Sequence, residues 1–284
     1  MNEAELRQAS SELGHELRLW AGVGVARLRQ RWDTNATGGY RFESYKPPFE
    51  YDNSTPGPAL NLGAACWFSP NWGAQASSRL VVAYKGLEFS DPAYTSDPVR
   101  LTLATYSLDL AGQLRFPFLR PGAFFHGRFG YRYFQLDWDQ AQPDPQEIKG
   151  AQSPLYWSTI YQGPFLGLGM RYPFAGWIGV EGSADVVPYA FARNTVVGGT
   201  TQTPSGDVTR AWGFTGEVQV WLLISQGPPT ISAEVRFFYD YYWSHFVVPE
   251  GADAPRASAP YRAYSDATGD EQAGGCAVAM SIRF

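Results

Sequence analysis

Charged side chains stand at even spacings in several segments of this 284-residue chain. His126, Arg128 and Arg132 form one set, Glu234, Arg236 and Asp240 another, with Arg171, Glu181 and Glu217 in segments of their own. In an extended strand successive side chains point to opposite faces, so even spacing places each set on one face. Acids and bases on neighbouring strands can then pair guanidinium to carboxylate and fill an interior, or line a narrow polar path for a small solute. Hydrolysis would need a histidine beside a carboxylate. His245 has Asp240, Asp137, Asp139 and Asp185 as possible acids, but positions 240 and 245 fall on opposite faces of a strand unless a bulge intervenes. The sequence holds no Gly-x-Ser-x-Gly motif, and His15, His126 and His245 are too scattered for a histidine metal centre. Asp266, Asp270 and Glu271 could hold a hard cation but read as solvated loop acids. The expectation is no enzyme, no metal and no cofactor.

The positions between the charges show what must carry them. Phe125, Phe129, Tyr131 and Tyr133 alternate with the His126 set; Val218, Val220 and Leu222 follow Glu217; Val235, Phe237 and Tyr239 interleave with Glu234 and Arg236. Such alternation runs through 15–32, 60–68, 74–86, 99–115, 122–138, 154–172, 177–190, 211–224, 230–247 and the final 274–284, about ten strands. Short Pro/Gly turns at 69–73, 116–121, 173–176 and 225–229 alternate with long polar stretches at 33–59, 87–98, 139–153, 191–210 and 249–272. In 99–115 the apolar positions switch from odd to even near Thr105 and Tyr106, which predicts a β-bulge.

One face of every strand is greasy and the other ionic, which selects the solvent. Aromatic residues make up 16% of the chain and charged residues only 17%, and the mean hydropathy is −0.27. No window approaches the ~20 consecutive apolar residues of a transmembrane helix. Strands would have to cross a membrane, and in hydrocarbon only a closed barrel satisfies their backbone groups. A soluble β-sandwich or lipocalin-like barrel would also alternate. Two features speak against it: segments well beyond the ~5–6 residues of ordinary strands, and aromatics near segment ends. Those are Trp20, Trp32, Phe68, Trp72, Trp138, Trp157, Trp177, Trp212, Tyr241, Tyr242 and Trp243, placed as interfacial belts are. A net charge of −5 and the lack of a Lys/Arg run argue against nucleic acid as a partner.

The chain ends with Cys276, Val278, Met280, Ile282 and Phe284 at every second position. This resembles the closing strand of bacterial outer-membrane β-barrel proteins, in which Val278, Met280, Ile282 and Phe284 would form the assembly signal. The resemblance implies an all-β, transmembrane, antiparallel up-and-down barrel with long outer loops and short periplasmic turns. It also implies a Gram-negative outer-membrane location, both termini in the periplasm, contact with outer-membrane lipid and lipopolysaccharide, and assembly by the barrel-assembly machinery. Residues 1–14 are expected to be a periplasmic tail and 15–284 the barrel. Residues 1–11 lack a basic start and an apolar run, so a signal peptide is expected to have been removed. Cys66 and Cys276, with a strand between them, lie beyond disulfide reach and are expected as free lipid-facing thiols.

A ten-stranded barrel is only slightly wider than the eight-stranded kind that side chains fill. The inward parity also takes in Glu16, Arg18, Arg79, Lys85 and Asp185, and the expectation is a lumen plugged by arginine–carboxylate pairs with water between. The chain is similar to the omptin proteases in strand number and in the residue types near its rim, without sharing a motif. The leading functional expectation is a non-enzymatic anchor or interaction subunit of a cell-envelope complex of adhesion, secretion or motility type, with envelope protein partners at its outer loops. A narrow porin-like channel for small polar solutes and an omptin-like rim hydrolase are the alternatives.

Overall fold

A computed structural model describes residues 16–34, 49–52, 56–87, 99–118, 121–140, 156–198, 201–203, 208–247 and 266–284. These form strands β1 (Glu16–Thr34), β2 (Phe49–Asp52), β3 (Gly57–Trp67), β4 (Trp72–Leu87), β5 (Val99–Pro117), β6 (Phe124–Gln140), β7 (Tyr156–Ala175), β8 (Ile178–Val187), β9 (Phe191–Gly198), β10 (Thr201–Thr203), β11 (Val208–Ser225), β12 (Thr230–Val247) and β13 (Asp266–Arg283). Ten of them close into an antiparallel ring in the order β1, β3 to β8, β11 to β13, with β13 pairing back onto β1. Closure is why the alternation can be sustained: a ring leaves no unpaired edge to satisfy in hydrocarbon. The proposed tail 1–14 lies outside the described residues, as do the side chains of Lys85, Trp32, Trp138, Trp157 and Asp139.

Three expectations are corrected. There is no bulge at Thr105–Tyr106: β5 keeps register with β4 from Val99 to Leu114 and with β6 from Leu101 to Pro117. Odd positions face inward throughout, and Leu103 is 0% exposed. The apolar positions change parity because the inside of the barrel turns apolar at that height. Trp20 and Tyr242 are not belt residues, since both sit on inward positions and are buried. The stretches taken as loops also shrink. β2 lies within 33–59, β9 and β10 within 191–210, and β13 starts at Asp266, well before Gly274. Above the apolar band both faces can be polar, so a strand continues after its alternation has faded.

The outward face carries the apolar side chains, with Leu168 75% and Val23 68% exposed. Phe68, Trp72, Phe125, Phe174 and Trp177 ring the short-turn end, and Tyr131, Tyr189, Trp212 and Tyr239 the long-loop end. An apolar band between aromatic girdles is the exterior of a membrane-spanning barrel. Leu168→Arg should therefore cost about 2–4 kcal/mol in a denaturant titration of protein folded into vesicles. A cost near zero would mean that this face meets water. The two cysteines are free, pairing in the ladders with Leu17 and Val25 on opposite sides of β1.

Candidate functional site

The inward positions build the lumen in three levels. Near the short-turn end Trp67 and Phe124 form an aromatic floor, while Trp20 and Trp221 are buried higher up, Trp221 beside its ladder partner Glu234. Each indole needs room, and the sequence supplies it on an adjacent strand: a Cβ on Gly63 would fall 2.0 Å from the Trp20 ring, and one on Gly179 2.4 Å from Trp221. Above the floor lies the ionic level. Arg18 reaches Glu181 at 3.2 Å and Glu234 at 2.5 Å; Glu234 also holds Arg236 at 2.5 Å. Arg236 continues to Glu217 at 3.2 Å, Glu217 to Arg79 at 3.2 Å, and Arg79 to Asp240 at 2.6 Å. Arg171 joins at Glu181, 3.7 Å away. One unbroken run of alternating charge thus links β1, β4, β7, β8, β11 and β12 across the interior.

A second group stands beside it. Arg132 grips Asp109 through two hydrogen bonds of 2.5 and 2.6 Å and reaches Asp185 at 2.9 Å, where Arg128 also arrives at 2.8 Å. Thr215 accepts a further bond from Arg132. Planar guanidinium groups suit this because they pair bidentately along the edge while stacking on rings. Arg236 lies 4.7 Å from the Trp20 ring centre, Arg132 4.8 Å from Phe165 and Arg79 3.8 Å from Phe238. Eight of the nine lumen residues singled out from the sequence enter these two groups. The ninth, His126, is buried against Phe124 and Gly169, and its Nδ1 meets no hydrogen-bond partner among the described residues. Asp109 was not singled out; its alternation with Leu108 and Leu110 is the signal that marks it as inward.

The third level is apolar. Phe134 of β6, Tyr242 of β12 and Tyr161 of β7 stack across the bore, with ring centres 4.4 and 5.0 Å apart in that order. Leu28, Val81, Leu103 and Leu136 pack around them, and the Tyr161 and Ser244 hydroxyls share a 2.9 Å hydrogen bond. The ionic level beneath keeps a cavity of about 80 Å³, room for a few waters. Sequence reasoning missed this gasket because its residues are of the same types as the lipid-facing ones.

Outside the lumen, His245 lies on the outward side of β12, stacked on Trp243 with ring centres 6.3 Å apart, while Asp240 points inward to Arg79. The strand brings no bulge to unite them. Val278, Met280 and Ile282 face outward, and Phe284 exchanges backbone hydrogen bonds with Leu17 at 2.9 and 3.3 Å.

No protein-family model matches the sequence, and no curated protein matches it. Among solved structures the chain is similar to the outer membrane protease OmpT from Escherichia coli, with a TM-score of 0.64 at 8% identity over 96% of this chain and 99% of that one. The outer membrane protein OprG from Pseudomonas aeruginosa aligns over 97% and 98% at 9% identity, with a TM-score of 0.41. At these identities the likeness to OmpT establishes the fold, a closed antiparallel barrel of the outer-membrane type, and nothing beyond it.

Proposed function

We propose that this chain is a non-conducting outer-membrane barrel that anchors an interaction surface at its long-loop end, as a subunit of a Gram-negative cell-envelope complex. The single observation that carries this reading is the filled bore: an ionic level and an aromatic gasket, stacked one on the other, occupy the space a solute would need. Short turns and termini face the periplasm in this reading, lipid and lipopolysaccharide surround the belt, and the barrel-assembly machinery inserts the chain. A porin-like role would require a continuous aqueous path. A rim hydrolase built on His245 and Asp240 would require the two to share one face, whereas Asp240 points inward to Arg79 and His245 stacks on Trp243 on the outward side.

The test is crosslinking of the tagged chain in native outer membranes, run beside a variant in which 249–265 is replaced by a Gly/Ser linker of equal length. Envelope proteins captured by the parent and lost by the folded variant would support the reading. Capture unaffected by the replacement, or peptide or lipid hydrolysis abolished by His245→Ala, would overturn it.

A further inference from the structure

Three strands end their outward apolar run at the long-loop end in the same way, with an exposed arginine two residues beyond an exposed apolar side chain. Val25 leads to Arg27 on β1, Phe191 to Arg193 on β9, and Trp212, followed backwards along β11, to Arg210. None of the three forms an ion pair among the described residues. At the short-turn end the outward face holds Phe116, Ile224 and Phe284 instead.

Two of these arginines converge. The Ala190 N–H donates to the Ala211 carbonyl at 2.9 Å, which joins the start of β9 to β11 and sets Arg193 diagonally across from Arg210. Diagonal neighbours on adjacent strands lie ~7–8 Å apart, within reach of one group for side chains as long as these. Like charges so placed repel each other, and an anion between them removes that cost. On the other flank of β11, His245 is the ladder partner of Arg210.

A second observation is independent of charge. Toward the bilayer centre the arginines are followed by an aromatic collar, in which Trp212 pairs with Trp243 in the ladder and lies 5.3 Å from Tyr241 between ring centres. Asp270, the ladder partner of Trp243 on β13, accepts from Gln272 at 2.9 Å. Below the collar Gly182, Ala184 and Gly216 face outward side by side, flanked by Leu168 and Met170 of β7. A Cβ on Gly216 would meet nothing nearer than 3.8 Å, so the wall there is a shallow apolar trough. Cation, aromatic ring and apolar trough follow one another down a single stretch of wall, in the order of the parts of an anionic amphiphile.

We infer that the outward wall of β8, β9, β11 and β12 at the long-loop end is a binding site for a phosphorylated glycolipid of the surrounding leaflet. Its phosphate lies between Arg193 and Arg210, its sugar against the Trp212 and Trp243 rings, and its acyl chains along the trough. Paired guanidinium groups are the chemistry that selects phosphate. A plain phospholipid offers the same phosphate but no sugar ring for the collar. The site rests on the lipopolysaccharide-facing orientation proposed above and on none of the protein partners.

The full chain, folded in a zwitterionic detergent, is titrated with purified lipid A, and bound lipid is counted by native mass spectrometry. Saturable binding is expected, at least about tenfold tighter than that of dephosphorylated lipid A, with a similar loss for Arg210→Gln and for Arg193→Gln. Arg27→Gln, three strands away on β1 at about 14 Å or more, lies beyond the ~8 Å screening length of physiological salt and should leave binding unchanged. All three substitutions are at exposed positions, and retention of the heat-modifiable gel shift shows that each variant is folded. Binding indifferent to dephosphorylation, weakened equally by Arg27→Gln, or displaced equally well by phosphatidylglycerol overturns the site. Crosslinking of envelope proteins through 249–265 is read separately, so either proposal can fail while the other stands.

Discussion

Arg132→Ala is expected to destabilise the folded barrel by about 3–5 kcal/mol, the cost of stranding a buried charge by deleting its partner. Arg132 is the chief partner of Asp109, which it grips with two hydrogen bonds, and it shares Asp185 with Arg128. Removing it leaves Asp109 inside a confined lumen with its carboxylate uncompensated, while Asp185 keeps one cation. The asymmetry can be tested directly. Asp109→Asn alone should cost less, because the amide oxygen can still accept from Arg132 and that guanidinium keeps Asp185 and Thr215. The pair Arg132→Met with Asp109→Leu should recover most of the stability, since well-packed apolar replacements of a buried ion pair are often neutral. Urea titration of vesicle-folded protein, followed by loss of the compact gel form, reads all three. A cost below about 1 kcal/mol for Arg132→Ala, the range of exposed ion pairs, would mean that the lumen is wet and wide enough to solvate these groups.

Tyr242→Ala is the second large effect. Its ring lies between Phe134 and Tyr161, and truncating such an aromatic should cost about 3–5 kcal/mol from lost burial and the cavity left behind. Tyr242→Phe should be neutral or stabilising, because the buried hydroxyl has no hydrogen-bond partner among the described residues. The stack also closes the bore, so its removal has a functional readout. Combined with Phe134→Ala it should turn a silent barrel into one with brief ion-conducting openings in planar bilayers, the ionic level below remaining as the residual barrier. Unchanged silence in the double variant would place the seal elsewhere.

The outward face and the ionic level were legible because alternation separates them cleanly. Leu166, Leu168 and Met170 repeat without interruption, and Glu181 or Arg236 could face only the lumen. What failed was the assumption that an apolar side chain on a membrane strand must face lipid. Leu103 and Trp20 break it: the bore has apolar floors as well as ionic ones, and residue type cannot distinguish the two environments. The apparent bulge near Thr105 was the same error, a change in what fills the barrel read as a change in backbone parity. Pairing was hidden for another reason. Arg18 meets Glu181 across 163 residues of chain, and parity names the face of a strand without saying which distant strand stands opposite.

Conductance of the unmodified chain in a planar bilayer tests the filled bore most directly. A quiet baseline across both polarities of applied voltage is the expected result. A steady open current carried by small ions would contradict it, and with it the reading of this barrel as a closed anchor.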